Sequence, residues 1–204
     1  MSISLCMIVK DEGLVLDEFL RDLNHYVDEI VVVDTGSSDN SKEIARKYTS
    51  KVYDFKWCDD FSKARNFSVS KATKEWILWL DPDEIISKKD LEKIRELVKN
   101  RDYLGYRFVQ ETVVNNKKYV QGICKLFQNK NVKFVYPIHE SVMPCIKSFN
   151  GKIGKSGIVI RHKSVYNLEK AQYYLKLIEK KSKKYPESSV SKEKDVIVDI
   201  FRNL

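Results

Sequence analysis

The sequence predicts an α/β fold, a mostly parallel sheet flanked by helices, and three observations carry this. Short apolar runs alternate with helical spacings four times between residues 1 and 100, as in β-α units joined by right-handed crossovers. The leading runs are continuous, as in strands buried on both faces. Charged clusters (Lys10-Asp11, Asp34 and Asp81-Asp83) follow three of the runs directly. Ligands of such sheets bind beyond the carboxyl ends of the strands, so the three clusters should meet on one rim.

The elements follow in order. Ile3–Val9 is the first strand, and apolar positions 16, 19, 20 and 23 space a helix over Leu14–Leu23. Glu29–Val33 is a second strand ending at Asp34. After the turn Gly36-Ser37-Ser38-Asp39, a helix over Ser41–Tyr48 opens on Ser, Asp and Asn caps. Val52–Phe55 is a third strand, Phe61–Ala72 a helix with Asp59 or Asp60 at its start, and Trp76–Leu80 a fourth strand. Ser87-Lys88-Lys89-Asp90 resembles a capping box before the helix Leu91–Lys99. The pattern then changes. Tyr103–Val114 and Lys117–Phe127 form a hairpin turning at Asn115-Asn116. Lys133–Val142 and Gly157–His162 read as extended, Leu168–Lys184 as a long helix ending near Pro186, and Ser191–Leu204 as a short final helix.

Bulk composition bounds the class. At 204 residues and 43% apolar, the chain can bury a substantial core. No run approaches the roughly 18–20 apolar residues of a membrane span. The N-terminal ISLCMIV lacks a basic leader and is followed by charge, so it reads as a strand, and a cytoplasmic protein is expected. The four cysteines form no CxxC pair and read as small buried hydrophobes. The net charge of +8 is uneven: residues 1–140 hold 23 basic and 23 acidic side chains, and residues 141–204 hold 14 and 6. The neutral first part argues against nucleic acid as a partner. The basic remainder suits peripheral contact with an anionic membrane inner face.

The stretch WLDPDEII, residues 79–86, carries the chemistry. An apolar strand runs straight into three carboxylates, and an unpaired buried carboxylate costs several kcal/mol. Asp81 and Asp83, two positions apart at a strand end, point the same way with Pro82 stiffening the turn. Carboxylates so placed suit a hard divalent cation that also meets substrate phosphates.

The stretches ISLCMIVKDEG, VDEIVVVDTGSSDNSKEIA, VYDFKWCDDFSKARNFSVSKAT and EWILWLDPDE and, more loosely, KLFQNKNVKFVYPIHESV together resemble family 2 glycosyltransferases of the GT-A fold. The likeness is greatest to the subgroup whose catalytic domain is often followed by tetratricopeptide repeats. It implies a GT-A-like, Rossmann-type sheet over 1–165, with a nucleotide-binding half (1–100), a smaller antiparallel acceptor-side half (101–165) and a basic helical extension over 166–204. It implies transfer of a sugar, with inversion, from a nucleoside-diphosphate sugar, UDP-linked by preference, to a glycan, lipid-linked saccharide or protein hydroxyl. The cofactor implied is Mn²⁺ or Mg²⁺. By the same likeness Val9, Lys10 and Glu12 line the nucleotide pocket, Asp34 contacts base or ribose with help from Asp39, and Arg65 lies near the diphosphate. Asp81 and Asp83 match the metal-binding DxD, which His162 completes, and Glu84 supports that loop. The segment Pro137-Ile138-His139-Glu140 matches an acceptor-side motif. Inversion needs a carboxylate to take the acceptor proton, and Glu140 is the candidate, with Asp83 also in the catalytic set.

The sequence departs from the pattern at Lys10-Asp11-Glu12-Gly13 (usually Lys-Asn-Glu-Glu), at Pro82 (usually Ala or Gly) and at His162-Lys163-Ser164-Val165-Tyr166 (usually His-Tyr-Gly-Tyr). A catalytically silent nucleotide- or partner-binding module of the same fold is the alternative. Nucleotidyl transfer would want a glycine- and arginine-rich loop after the first strand, which Lys10–Gly13 is not.

Overall fold

The structure is a computed structural model that describes residues 1–114, 117–162 and 168–185. Its elements are β1 (Ile3–Val9), α1 (Gly13–Leu23), β2 (Glu29–Asp34), α2 (Ser41–Arg46), β3 (Val52–Asp54), α3 (Phe61–Lys71) and β4 (Trp76–Trp79), then β5 (Glu84–Ile86), α4 (Lys88–Leu97), β6 (Gly105–Val114), β7 (Lys117–Gln128), α5 (Met143–Ser148), β8 (Ile153–His162) and α6 (Leu168–Lys184). The turn at 115–116 and the helix expected over 191–204 lie outside the described residues.

One mixed sheet runs in the order β3-β2-β1-β4-β7-β6-β8-β5. The first four strands in that order are parallel. β7 joins β4 antiparallel, β6 pairs antiparallel with β7 and parallel with β8, and β5 closes the far edge against β8. Every residue of β1 is buried. Its odd positions Ile3, Leu5 and Met7 meet Leu16 and Leu20 of α1 in one core, which Leu91 and Ile94 of α4 share. Cys6 faces the opposite layer with Val31, Ile77, Trp79 and Phe127. A fully buried side chain of this size stabilises the fold by about 1.5–3 kcal/mol, which accounts for the continuous apolar runs of the central strands.

Caps fix the helix starts. Asp60 accepts from the Lys63 N–H at the head of α3, and Ser87 accepts from Asp90 at the head of α4. Asp59 is no cap: with φ +57° it accepts from Trp57 Nε1 and Tyr173 Oη. The phenol thereby ties α6 to the loop before α3, and burial followed by the Asp59 carboxylate pushes its pKa up to about 12. Leu177 and Ile178 of α6 pack with Ile138, Phe61 and Tyr174.

Two expectations need correction. Lys133–Val142 is not a strand: it makes an isolated bridge, Val135 to Ser141, because Tyr136 (φ +75°) and His139 (φ +50°) reverse the chain around Pro137. Of the cysteines, Cys6 and Cys124 are buried, Cys145 is partly buried, and Cys58 is exposed. α5 and the short β5 are elements that the sequence pattern did not mark.

Glu29 ties the amino ends of the strands together. It accepts from Ser4 Oγ, from the backbone and hydroxyl of Thr73 (2.8 and 2.7 Å), and from Lys51. Burial opposes ionisation, but these donors outweigh it and lower the pKa to about 2. A lowered pKa contributes stability that is present above the ordinary glutamate value and lost as pH falls towards 2. Glu29→Gln should therefore cost about 2 kcal/mol at pH 7, with the difference narrowing below pH 4.5. Urea titrations at pH 7 and pH 3 check this, and an equal loss at both would contradict it.

Candidate functional site

The carboxyl ends of the parallel strands form one rim, as expected. The loops after β1 and β2 are stapled together there. Asp11, at φ +54°, accepts from Ser38 N and Oγ at 2.7 and 3.0 Å, and its own N–H donates to Ser37 Oγ. Asp39 accepts from Gly13 N (2.9 Å) and Ser41 N (2.9 Å). A Cβ at Gly13 would fall 2.2 Å from Asn40 Oδ1 and 2.8 Å from Asp39 Oδ2, so a larger residue here would displace both side chains. Backbone and hydroxyl donors, with Ser38 foremost for Asp11 and Ser41 for Asp39, hold both carboxyls below their ordinary pKa.

Asp34 ends β2 level with Val9 of β1. It is 1% exposed, and Oδ1 accepts from Gly36 N and Ser37 N at 2.9 Å each. Gly36 takes φ +109°, a conformation that favours glycine. Oδ2 of Asp34 is buried with no partner. Val9 is buried at the strand end, Lys10 is exposed, and Glu12 is half-buried with its N–H on Ser41 Oγ. β2 and β4 both flank β1, so Asp34 and the residues after β4 stand two strand spacings apart, about 10 Å.

On the β4 side the centre is Arg65, carried on the buried face of α3 beside Ala64 and Ser68. Its Nη2 donates to both oxygens of Asp81 at 2.9 Å, and its Nε donates to Glu140 Oε1. The guanidinium carbon lies 4.2 Å from the centroid of the Trp79 ring. Burial opposes ionisation of Asp81, but the Arg65 charge, with Lys125 behind it, outweighs that and holds the carboxyl below its ordinary pKa. The same two carboxylates raise Arg65 against the effect of its own burial.

Asp81 and Glu84 close a turn: Glu84 N donates to Asp81 O, and Asp81 N donates to Glu84 Oε2, both at 3.0 Å. Pro82 occupies the position of that turn which suits its fixed φ. Glu84 is 2% exposed and binds Lys125 Nζ at 2.7 and 2.9 Å, so its support of the loop is direct. Asp83 Oδ2 lies 3.1 Å from His162 Nε2, and Thr112 Oγ1 is 3.3 Å from His162 Nδ1. Burial would lower the His162 pKa; the hydrogen bond and charge of Asp83 outweigh it and raise it. Oδ1 of Asp83 is buried and unpartnered.

The expected cation ligands therefore divide. Asp83 and His162 are adjacent, while Asp81 is turned to Arg65, and no group of three potential ligands is assembled among the described residues. The local charge still suits a divalent cation. Asp81, Asp83, Glu84 and Glu140 bring four carboxyl groups, against which the described ion pairs set Arg65, Lys125 and His162, the last charged only when protonated. A doubly charged cation beside Asp83 Oδ1 would balance this and satisfy that oxygen.

Sequence reasoning missed Lys125 and Gln110. A lysine inside the apolar run GICKLF was the available signal for the first. Gln110 is 6% exposed with Oε1 unpartnered, and nothing in the sequence marked it. Trp76 and Trp79 lie in the core.

Removing the Arg65 charge takes the shared ion-pair partner from the part-buried carboxylates of Asp81 and Glu140. Arg65→Leu should destabilise the protein by about 3–5 kcal/mol, measured by chemical denaturation; a loss below about 1 kcal/mol would contradict the ion-pair geometry.

The model of the family described as glycosyl transferase family 2 matches residues 4–173. A TPR repeat-containing protein of Synechococcus elongatus is 36% identical over 141 residues, covering 69% of this chain and 35% of that protein. The SPbeta prophage-derived glycosyltransferase SunS of Bacillus subtilis is 29% identical over 145 residues, covering 67% and 34%. The chain thus spans about a third of these relatives' length. Among solved structures, S. aureus TarS 1–349 in complex with UDP-GlcNAc superposes with TM-score 0.64 at 16% identity, covering 87% of this chain and 66% of that one. Glucosyl-3-phosphoglycerate synthase from Mycobacterium tuberculosis, in complex with Mn²⁺, UDP-glucose and phosphoglyceric acid, gives 0.65 at 14%, covering 87% and 77%. The fold is GT-A-like.

Proposed function

Because the chain belongs to glycosyl transferase family 2, we propose that it moves a sugar from a nucleoside-diphosphate sugar, UDP-linked by preference, to an acceptor hydroxyl, with inversion and with a divalent cation. One observation carries this reading. Asp34 Oδ2, Arg65 Nη1 and Asp83 Oδ1 are three of the four buried side-chain polar atoms without a partner among the described residues. Such atoms cost about 1–3 kcal/mol each and call for a ligand on that rim. The fold neighbours solved with a UDP-sugar support the UDP preference.

In this reading Asp34 accepts from the base or ribose, beside the pocket lined by Val9, Lys10 and Glu12, while Asp39 holds the loop. Arg65 keeps Nη1 for a phosphate oxygen while its other nitrogens hold Asp81 and Glu140. Asp83, with Asp81 and His162, would hold Mn²⁺ or Mg²⁺, which when bound supplies positive charge to the departing diphosphate. Glu140, fixed by Arg65, takes the proton of the acceptor hydroxyl. The acceptor is a glycan, lipid-linked saccharide or protein, with the basic C-terminal part resting on an anionic membrane face. No helix among the described residues is long and apolar enough to cross a membrane.

Calorimetric titration of UDP in the presence of Mn²⁺ tests the reading. Wild type should bind, and Asp83→Ala should weaken binding at least tenfold. Absence of UDP binding by wild type would overturn the donor assignment.

A further inference from the structure

A second buried ion pair lies directly beneath the Asp81–Glu84 turn. Lys125 is 1% exposed and Glu84 2%. Replacing such a pair with apolar side chains is often neutral or stabilising, so stability alone does not explain it. The backbone around Lys125 is also irregular. Tyr106 of β6 faces Leu126 and Arg107 faces Cys124, so Lys125 is the extra residue of a β-bulge. Bulges re-aim a side chain and recur beside active sites. This one is held by Trp79, whose Nε1 donates to Cys124 O at 2.7 Å. β4 and β7 stop pairing one residue earlier, at Leu78 and Leu126. The freed Lys125 ammonium rests 3.6 Å from the centroid of the Trp79 ring and reaches Glu84. Trp79 therefore carries two cations, Lys125 and Arg65, and each holds one part of the Asp81–Glu84 turn.

We propose that Lys125 is a positioning residue for cation binding. It locks the Glu84 carboxylate onto the Asp81 N–H, and so fixes the turn on which Asp81 and Asp83 are presented. Lys125 touches neither donor nor cation and acts through Glu84. What the Glu84 carboxylate needs is a buried cation of that reach. The inference rests on the donor-site reading above.

The test uses wild type, Lys125→Met, Lys125→Arg and the double variant Glu84→Gln/Lys125→Met. Mn²⁺ titrations at fixed UDP are followed by calorimetry, and melting temperature is measured without ligand. Lys125→Met should weaken apparent Mn²⁺ affinity at least tenfold, and Lys125→Arg should recover most of it. In the double variant the new amide at position 84 keeps an oxygen for the Asp81 N–H while no charge is left buried alone. It should fold and bind Mn²⁺ within about threefold of wild type. If Lys125→Met lowers the melting temperature but leaves Mn²⁺ affinity unchanged, Lys125 only stabilises the fold and the proposal is wrong. A double variant that folds and binds Mn²⁺ tenfold worse also overturns it, because the effect then does not run through Glu84. Should Lys125→Met not fold, Lys125→Gln, which keeps a donor near Glu84 but removes the charge, takes its place and is read for the same two outcomes: weakened Mn²⁺ affinity as expected, or a lower melting temperature with affinity unchanged, which overturns the proposal. Wild type that binds neither UDP nor Mn²⁺ fails the donor-site reading instead, a result separate from both.

Discussion

A guanidinium buried on a helix needs counter-charge, and the placement of Arg65 organises everything on its side of the sheet. Desolvation of a cation is expensive, and only well-made hydrogen bonds to carboxylates offset it. Arg65 finds them on two loops far apart in sequence, one after β4 and one before α5, through Asp81 and Glu140. Trp79 supplies the flat face under its guanidinium. One side chain thus couples the DxD turn to the segment that carries the proposed base. α6 reaches the same neighbourhood, packing on Ile138 next to that segment.

The rim divides into two kinds of construction. On the β1–β2 side, Asp11 through Oδ1 and Asp39 through both oxygens accept from neighbouring loop donors. They brace the loops after β1 and β2 against each other, and among the described residues there Asp34 keeps an unpartnered buried oxygen. On the β4 side, charge is set against charge: carboxylates outnumber cations, and the balance suits a divalent ion with a diphosphate. Geometry is stiffened where the chemistry needs it, by the Asp81–Glu84 turn and by the bulge below it.

The parallel half was legible because its signals are local. Continuous runs such as Ile3–Val9 mark doubly covered strands, and turn residues at Gly36 and caps at Asp60 and Ser87 mark their connections. Asp34, Asp81 and Asp83 were legible because acidic residues directly after apolar strands have few bland explanations. The partners of those residues were not. Nothing in the spacing of Arg65, Glu140 and Lys125 says that they converge, since pairing across 75 and 41 positions is set by the assembled sheet. The stretch 133–142 misled for a different reason. Its β-branched and aromatic residues favour a strand, but positive φ at Tyr136 and His139 turns the chain back on itself and breaks the extended run.

Asp34, Arg65 and Asp83, each with an unpartnered buried polar atom, are proposed to surround one ligand. A crystal structure of the protein with UDP and Mn²⁺ tests it most directly. Anomalous Mn²⁺ density is expected within about 2.0–2.4 Å of an Asp83 oxygen, with uridine against Asp34 and a phosphate oxygen on Arg65. UDP and Mn²⁺ found on another face, with these three side chains unchanged and unliganded, would contradict it.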